Sequence, residues 1–291
     1  MNIAILGKKD AWYTSALQNA FRTRNIEVPC FPVTSLTALV GTGRYMLSAG
    51  QHLDHFDVFI VRAIPSGSLE QVVYRMDALH RLENKGIRII NSAETIERGV
   101  DKYYTLTLME DLGLKIPPTI VTERFDDALA AFEELESDVV VKPLFGSEGR
   151  GMVRVSDKDA AYRLFRALEM GRYVYYLQKY IPHGNRDIRL FVLGGNVMTA
   201  MIRTGKDWKC NIANGASGHA FEPDHELTEA GIKAAEILKA DYAGIDILPG
   251  DDGNYYLIEV NTIPGWRGLK KATGFDAAGH LADYVLKKQI P

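Results

Sequence analysis

The first third of the chain alternates short, wholly apolar runs with segments of helical spacing. Ile3–Leu6 is such a run, ended by Gly7, and Ala11–Arg24 then repeats apolar residues at helical intervals through Leu17, Ala20 and Phe21. Runs at Ile26–Phe31 and Val58–Val61 predict two more strands. Leu69–Lys85 predicts a helix with Val72, Val73, Met76 and Leu79 inward and Gly86 as its stop, and Ile87–Ile90 predicts another strand. Strand and helix in alternation give a small parallel sheet with helices on both faces, here over about residues 1–95. The turn after the first strand reads Gly-Lys-Lys-Asp-Ala-Trp and lacks the three glycines that bring a pyrophosphate against a helix start. This lobe is therefore read as a scaffold forming one wall of a cleft, not as a nucleotide site.

The pattern changes over roughly residues 96–180. Ser92–Arg98 and Lys102–Leu112 have helical spacing, Gly113 closes the second, and Ile116-Pro117-Pro118 interrupts the run. A helix over Asp126–Leu135 precedes Val139-Val140-Val141-Lys142-Pro143, a buried strand that ends in lysine. The loop Gly146–Gly151 then leads to a returning strand at Met152–Val155. Residues 181–291 predict strands around 188–204, a helix over Thr228–Ala240, a hairpin at 244–261 and a last helix near 276–288. The chain thus reads as three units, 1–95, 96–180 and 181–291, α/β in the first and α+β beyond it.

Composition narrows the function classes. The 291 residues are 46% hydrophobic and 24% charged, which excludes a disordered or collagen-like chain. A net charge of -3 gives no footprint for nucleic acid, and no apolar run approaches the ~18 residues that would span a membrane. Two distant cysteines, Cys30 and Cys210, exclude a disulfide framework and a four-cysteine zinc site and fit a reducing, cytoplasmic setting. The start Met-Asn-Ile-Ala-Ile-Leu-Gly reads as a strand, not a signal peptide. The seven histidines show no metal spacing and are assigned no role.

The sharpest chemical signal is the hairpin. Asp252-Gly253 between Gly244–Leu248 and Tyr255–Asn261 is a strong two-residue turn cue, because both turn positions favour positive φ. That turn sets Asp246 directly opposite Glu259 on one face, with Asn261 two residues further along it, roughly 6–7 Å away. Facing acids repel unless a cation lies between them, and hard oxygen donors without His or Cys select Mg²⁺ or Mn²⁺. The alternative is a pair of solvated acids on an exposed face. A second signal is the loop Gly146-Ser147-Glu148-Gly149-Arg150-Gly151, whose glycines let backbone N–H groups wrap an anion; Lys142 stands four residues before it. That lysine reaches a phosphate or snorkels from a strand end. Arg189 and Arg203 lie in apolar strands and need anionic partners, from a substrate or from internal acids.

In this order, Lys102, Val140-Val141-Lys142-Pro143, Gly146–Gly151, Gln178–Ile181, Asp187-Ile188-Arg189, Arg203, Asn211, Gly244–Leu248 and Ile258-Glu259-Val260-Asn261 resemble the ATP-grasp superfamily, in its RimK-like amino-acid ligase branch. The resemblance covers about residues 90–285. It implies two α+β subdomains gripping ATP, preceded by an α/β lobe. Lys102 and Lys142 are then expected at the phosphates, with Gly146, Ser147, Glu148, Gly149 and Gly151 in the loop that closes over them. Gln178, Lys179, Tyr180 and Ile181 are expected to read adenine largely through backbone groups. Asp187, Lys209 and Asn211 are expected at the nucleotide, and Arg189 and Arg203 at the substrate carboxylate or the transferred phosphate. Asp246, Glu259 and Asn261 are expected to hold two Mg²⁺ ions, with Glu259 bridging.

The reaction so implied is ATP-dependent amide formation through an acyl phosphate, with glutamate or a similar amino acid and a carboxylate-bearing acceptor as partners. A homo-oligomer, dimer or tetramer, is also implied. Trp266-Arg267 and Asn214-Gly215-Ala216 depart from the type that glutamylates a ribosomal protein tail, and the Pro264-Gly265-Trp266 form looks more like the pterin-associated ligases. Trp266 stacks on a flat substrate ring or packs its own loop. Arg267 reaches the incoming amine or acceptor or is a solvated surface arginine. A phosphotransferase without an amine step and a non-catalytic nucleotide-binding module are the rival classes.

Overall fold

The structure, a computed structural model, describes residues 1–146, 149–212 and 215–287. Strand β1 (Ile3–Leu6) is followed by helix α1 (Trp12–Arg22) and a short β2 (Cys30–Phe31). A small antiparallel sheet of β3 (Leu36–Ala38), β4 (Met46–Ser48) and β5 (Gln51–His52) precedes β6 (Val58–Val61), α2 (Leu69–Glu83) and β7 (Arg88–Ile90). β1, β2, β6 and β7 form an all-parallel sheet in the order β2-β1-β6-β7. The wholly apolar runs are explained by burial on both faces. Ile3, Ile5, Val58 and Ile60 pack with Leu17 and Phe21 of α1, while Ala4, Leu6, Phe59 and Val61 pack with Met76, Leu79 and Leu82 of α2. Val73 does not follow the expected inward set: it is 47% exposed, and Arg75 and Ala78 are buried on the core side instead. Ser68 and Gln71 form a reciprocal capping box at the start of α2.

Helices α3 (Ala93–Val100) and α4 (Lys102–Asp111) lead to β8 (Thr119–Thr122), α5 (Phe125–Glu134), β9 (Val139–Lys142), β10 (Val153–Val155), α6 (Lys158–Met170) and β11 (Tyr175–Lys179). These strands make an antiparallel sheet in the order β10-β9-β11-β8, with α5 and α6 packed through Phe132 and Phe165.

The last sheet contains β12 (Arg186–Leu193), β13 (Asn196–Thr204), β14 (Ser217–Phe221), β15 (Tyr242–Pro249) and β16 (Tyr255–Asn261) in the order β14-β13-β12-β15-β16, all antiparallel. Helix α7 (His225–Ile237) covers one face, where Ile188, Leu190 and Val192 meet Leu227, Ala234 and Ala235. The other face is divided along its length. At one end Phe191, Leu193 and Tyr242 join the first lobe's core, together with Leu281 and Val285 of the final helix α9 (Ala277–Lys287). At the other end the same face carries charge. α9 therefore packs across to the first lobe, on α1, although it is remote in sequence.

Asn91 secures the junction. Its fully buried amide donates to the carbonyls of Tyr242 (2.8 Å) and Thr262 (2.6 Å) and accepts the N–H of Asp241 (2.7 Å). All its main hydrogen-bonding capacity is used on the ends of β15 and β16, so the first lobe fixes where those two strands begin and finish.

Candidate active site

Two lysines enter a cleft between the central and last sheets. Asp101 caps α4 by accepting the Tyr104 N–H at 3.0 Å, which makes Lys102 the first helical residue. The Lys102 ammonium donates to the carbonyls of Gly146 (2.8 Å) and Leu144 (3.4 Å), at the root of the glycine loop. Lys142 ends β9, is 9% exposed and donates to Gln178 Oε1 at 2.5 Å. Burial lowers both ammonium pKa values, that of Lys142 to about 8, while the field of Glu259 works in the opposite direction on each. Lys209 reaches across the cleft to the Met152 carbonyl at 2.8 Å. Gly149 and Gly151 both take left-handed φ, of 70° and 75°, which a side chain would oppose.

The hinge has an unpaired edge. The Lys179 N–H donates to the Pro118 carbonyl at 2.8 Å, but Pro118 has no N–H to return. The Lys179 carbonyl is thereby left without a ladder partner, and no acceptor engages the Ile181 N–H among the described residues. A donor and an acceptor are thus available side by side, as a flat heterocycle with both kinds of edge requires. The Lys179 side chain points elsewhere, to Glu136.

A stripe of charge crosses the last sheet. Register sets Arg203 opposite Asp187 and Arg189 opposite Asp246. Arg203 grips Asp187 in a fork, at 2.6 Å on both oxygens, and also lies 3.1 Å from Asp246. Arg189 grips Asp246 at 2.7 and 2.5 Å. Burial lifts the Asp187 carboxyl to about 6 against the pull of Arg203. For Asp246, burial is outweighed by Arg189 and Arg203, which hold the carboxyl below its ordinary range. Of the two kinds of partner open to these arginines, the structure shows internal acids.

The hairpin reaches the expected pairing by a different route. Its turn is not a two-residue Asp252-Gly253 connection. Pro249 pairs with Tyr255, and a five-residue loop is closed by the Gly250 N–H on the Asn254 carbonyl at 2.8 Å. That loop alone would set Asp246 against Ile258. A bulge at Ile258 restores the Asp246–Glu259 pair, because Ile247 faces Leu257 while Asp246 faces Glu259. The bulge also turns successive residues, Ile258 and Glu259, into the same cleft, which regular alternation forbids.

The cleft encloses about 710 Å³, its open mouth included. Lys102, Lys142, Gly149, Gln178, Lys179, Tyr180, Ile181, Asp187, Lys209, Asn211, Asp246 and Glu259 all line it. Arg189, Arg203, Gly146, Gly151 and Asn261 are not in its lining; the arginines act from behind Asp246 and Asp187. Asn261 Oδ1 accepts the Ile263 N–H at 3.1 Å. Ser147 and Glu148 lie outside the described residues. Trp208 and the buried His183, whose Nδ1 hydrogen-bonds the Arg186 carbonyl at 2.8 Å, also line the cleft and were not expected there. Their only sequence signal is nearness to Lys209 and the hinge. Trp266 does not stack on a substrate: it is 1% exposed, packed edge-on against Tyr13, Phe191 and Tyr242. Arg267 is exposed at the start of α8 (Arg267–Thr273), over the Trp12 ring, away from the cleft lining.

Glu259 differs from the other acids: among the described residues no hydrogen bond or ion pair engages its carboxylate. No group of three His, Cys, Asp or Glu side chains forms a metal cage among them either. Mg²⁺ is commonly held by one or two carboxylates with substrate phosphates completing the shell, and Asp246 with Glu259 fits that mode.

Two subdomains facing each other across a cleft lined by lysines, with an open hinge edge and a carboxylate pair, have the architecture of an ATP-grasp enzyme. The chain belongs to the RimK-like family of these enzymes: residues 99–285 match the RimK-like ATP-grasp domain and residues 1–96 the RimK pre-ATP-grasp domain. It is 32% identical to the tetrahydromethanopterin:alpha-L-glutamate ligase of Methanococcus maripaludis, over 98% of each chain. It is 31% identical to the glutamate–LysW ligase ArgX of Sulfolobus acidocaldarius, over 85% of this chain and 88% of that one. Among solved structures, the ATP-grasp ligase PsnB with minimal precursor, Mg and ADP superposes at TM-score 0.76 and 21% identity, covering 98% of this chain and 97% of the other. The RimK domain protein of Sphaerobacter thermophilus gives 0.77 at 22% identity, covering 98% and 99%. No helix of the described residues is long and apolar enough to cross a membrane.

Proposed function

We propose that this enzyme is an ATP-dependent carboxylate–amine ligase that adds L-glutamate to the carboxylate of a pterin-type acceptor. The observation that carries the chemistry is the convergence of Lys102, Lys142 and Glu259 in one cleft, with Glu259 engaged by no side chain among the described residues. The full-length similarity to tetrahydromethanopterin:alpha-L-glutamate ligases supports the acceptor class. Residues 1–95, 96–180 and 181–291 act as three units, the first bracing the other two.

In this reading the Lys179 carbonyl and the Ile181 N–H take the adenine edge, and Lys102, Lys142 and Lys209 exchange their carbonyl and amide partners for phosphate oxygens. Asp246 and Glu259, with Asn261, would hold two Mg²⁺ ions, which neutralise charge on the phosphates. Arg189 and Arg203 fix the rotamer and charge of Asp246. The acceptor carboxylate oxygen attacks the γ-phosphorus, ADP leaves, and an acyl phosphate forms. The α-amine of glutamate then attacks the acyl carbon, phosphate leaves, and the amine releases its proton to solvent. Closure of the glycine loop keeps water from the acyl phosphate.

The test supplies purified enzyme with Mg²⁺, ATP, L-glutamate and tetrahydromethanopterin. ADP, phosphate and an amide product are expected in equal amounts, only when both organic substrates are present. ADP formation with acceptor alone, leaving a stable phosphorylated product, would replace this reading with a phosphotransferase.

A further inference from the structure

The central sheet carries a row of hydrogen bonds that begins outside the cleft and ends on Lys142. Register sets Thr119 of β8 directly opposite Gln178 of β11, and Gln178 opposite Val140 of β9, so Lys142 is its diagonal neighbour two residues further along β9. Diagonal partners on one face of a sheet lie within reach of long side chains. The Lys142 ammonium donates to Gln178 Oε1 at 2.5 Å, and Gln178 Nε2 donates to Thr119 Oγ1 at 2.9 Å. The Thr119 hydroxyl donates in turn to the Pro117 carbonyl at 2.8 Å. The row thus crosses from the sheet edge at β8, through β11, to the lysine that ends β9.

Each link in this row has one direction open to it. A lysine ammonium only donates, and a hydroxyl has a single proton to give. Thr119 spends that proton on Pro117, so toward Gln178 it only accepts. The amide is therefore oriented from both ends: its NH₂ faces the threonine and its oxygen faces the lysine. Pro117 precedes Pro118, and two successive rings restrict the backbone that carries the accepting carbonyl. Pro118 also accepts the Lys179 N–H, so one short segment fixes both the hinge edge and this row. Gln178 is 2% exposed, and no other side chain engages its amide among the described residues. Turned over, that amide would set N–H groups against a buried ammonium, which needs an acceptor to stay charged. Thr119 itself does not line the cleft. It stands with Pro117 and Pro118 on a separate recess beside α4, so its route to the cleft runs through Gln178.

We propose that Thr119 is a positioning residue for Lys142: by fixing the Gln178 amide from outside the cleft, it keeps an oxygen toward the lysine and a charged ammonium ready for phosphate. The proposal deepens the reading in which Lys142 meets the nucleotide phosphates, and it rests on that reading. Its test is a binding measurement on the full chain. Thr119→Val keeps the shape and removes the hydroxyl, whereas Thr119→Ser keeps the hydroxyl. AMP-PNP affinity in the presence of Mg²⁺ is measured by calorimetry for both variants, for Lys142→Ala and for Thr119→Val/Lys142→Ala. Thr119→Val should bind roughly three- to tenfold more weakly than wild type, and Thr119→Ser should stay within about twofold of it. Once Lys142 is alanine, Thr119→Val should cost nothing further, because an effect carried by the lysine vanishes with it. A threonine that only braces the sheet edge would lower affinity alike in both backgrounds. Wild-type affinity in Thr119→Val, no rescue by serine, or an equal loss in both backgrounds would overturn the proposal and leave Lys142 at the phosphates. Wild-type affinity in Lys142→Ala would instead overturn the phosphate reading, and the proposal with it.

Discussion

Two groups of charged side chains meet at the same cleft and are organised in opposite ways. On the last sheet, Asp187, Arg203, Asp246 and Arg189 are matched acid to base through forked contacts of 2.5–2.7 Å. A few ångströms of strand away, Lys102, Lys142 and Glu259 have neutral partners or none, although each ammonium senses the Glu259 charge. The arginines of the closed group are spent and can act only by holding Asp187 and Asp246 in place, while Asp246 Oδ1, with one donor on it, keeps a lone pair that a cation would use. The open group retains capacity that phosphate and a divalent cation would use. Pairing, more than residue type, separates the two groups here.

The largest effect that tests this contrast belongs to the closed group. Arg203→Ala leaves Asp187 and part of Asp246 buried without a counter-charge, and breaking such a pair costs about 3–5 kcal/mol. Urea unfolding should show that loss, and Asp187→Ala added to it should recover part, because the second change removes the stranded acid. If Arg203→Ala unfolded at the wild-type denaturant midpoint, the closed group would not be bearing on the fold at all.

Glu259→Gln should give the reverse profile. Among the described residues the carboxylate has no partner to strand, so stability should stay within about 0.5 kcal/mol of wild type. Turnover should fall on the order of a hundredfold, with a matching rise in the Mg²⁺ concentration needed for half-maximal rate. Normal Mg²⁺ dependence in that variant would remove Glu259 from the metal site.

The difference between the two groups was only partly visible in the sequence. The residues of both were found, since Arg189 and Arg203 stand out in apolar strands and Asp246 and Glu259 in a hairpin. Their pairing was not, because it depends on the order β13-β12-β15: Arg203 meets Asp187 across a hairpin 16 residues apart, and Arg189 meets Asp246 across 57 residues. The Asp246–Glu259 pair was placed correctly through a turn that does not exist, since the longer loop and the Ile258 bulge offset each other. Such compensation leaves no trace in a hydrophobic pattern. The parallel sheet of the first lobe was legible because its central strands β1 and β6 are apolar at every position. The small sheet over residues 36–52 and helices α6 and α8 were missed: the sheet strands are only two or three residues long, and α8 is a single short segment packed on β13 and β14. Trp266 shows the limit from another side, as an aromatic next to a strand that lines the cleft carries no sign of whether it faces a ligand or the core.

Within the open group, Lys142→Ala should weaken ATP binding by about 1.5–3 kcal/mol, on the order of ten- to a hundredfold, by removing one charge-assisted phosphate contact. Lys102→Ala should do less, since Lys102 is held at the loop root by two carbonyls and is not directed by an amide partner inside the cleft. Calorimetry with AMP-PNP measures both, and unchanged affinity in Lys142→Ala would make this lysine a strand-end residue only.

The smallest effect is a pH dependence, and it follows from burial of the same lysine. In the protein alone Lys142 titrates at about 8 instead of 10.5, because burial disfavours the ammonium more than Glu259 supports it. Phosphate oxygens attract the ammonium and not the neutral amine, so ATP binding should draw the pKa back up. Below pH 8 the charge is already present and binding is strongest; as pH rises through 8 the charge must be regained on binding, and affinity should fall by up to roughly tenfold one unit higher. Stability moves the other way: between pH 8 and 10.5 the unfolded chain holds the proton that the folded chain has released, so this group's contribution to stability rises with pH across that window. Titrations of AMP-PNP at pH 8 in buffers of different ionisation enthalpy should show proton uptake by the complex, and Lys142→Arg, charged throughout, should flatten both the uptake and the affinity profile. Uptake that persisted in Lys142→Arg would transfer the titration to another group and leave the open cluster without its pH signature.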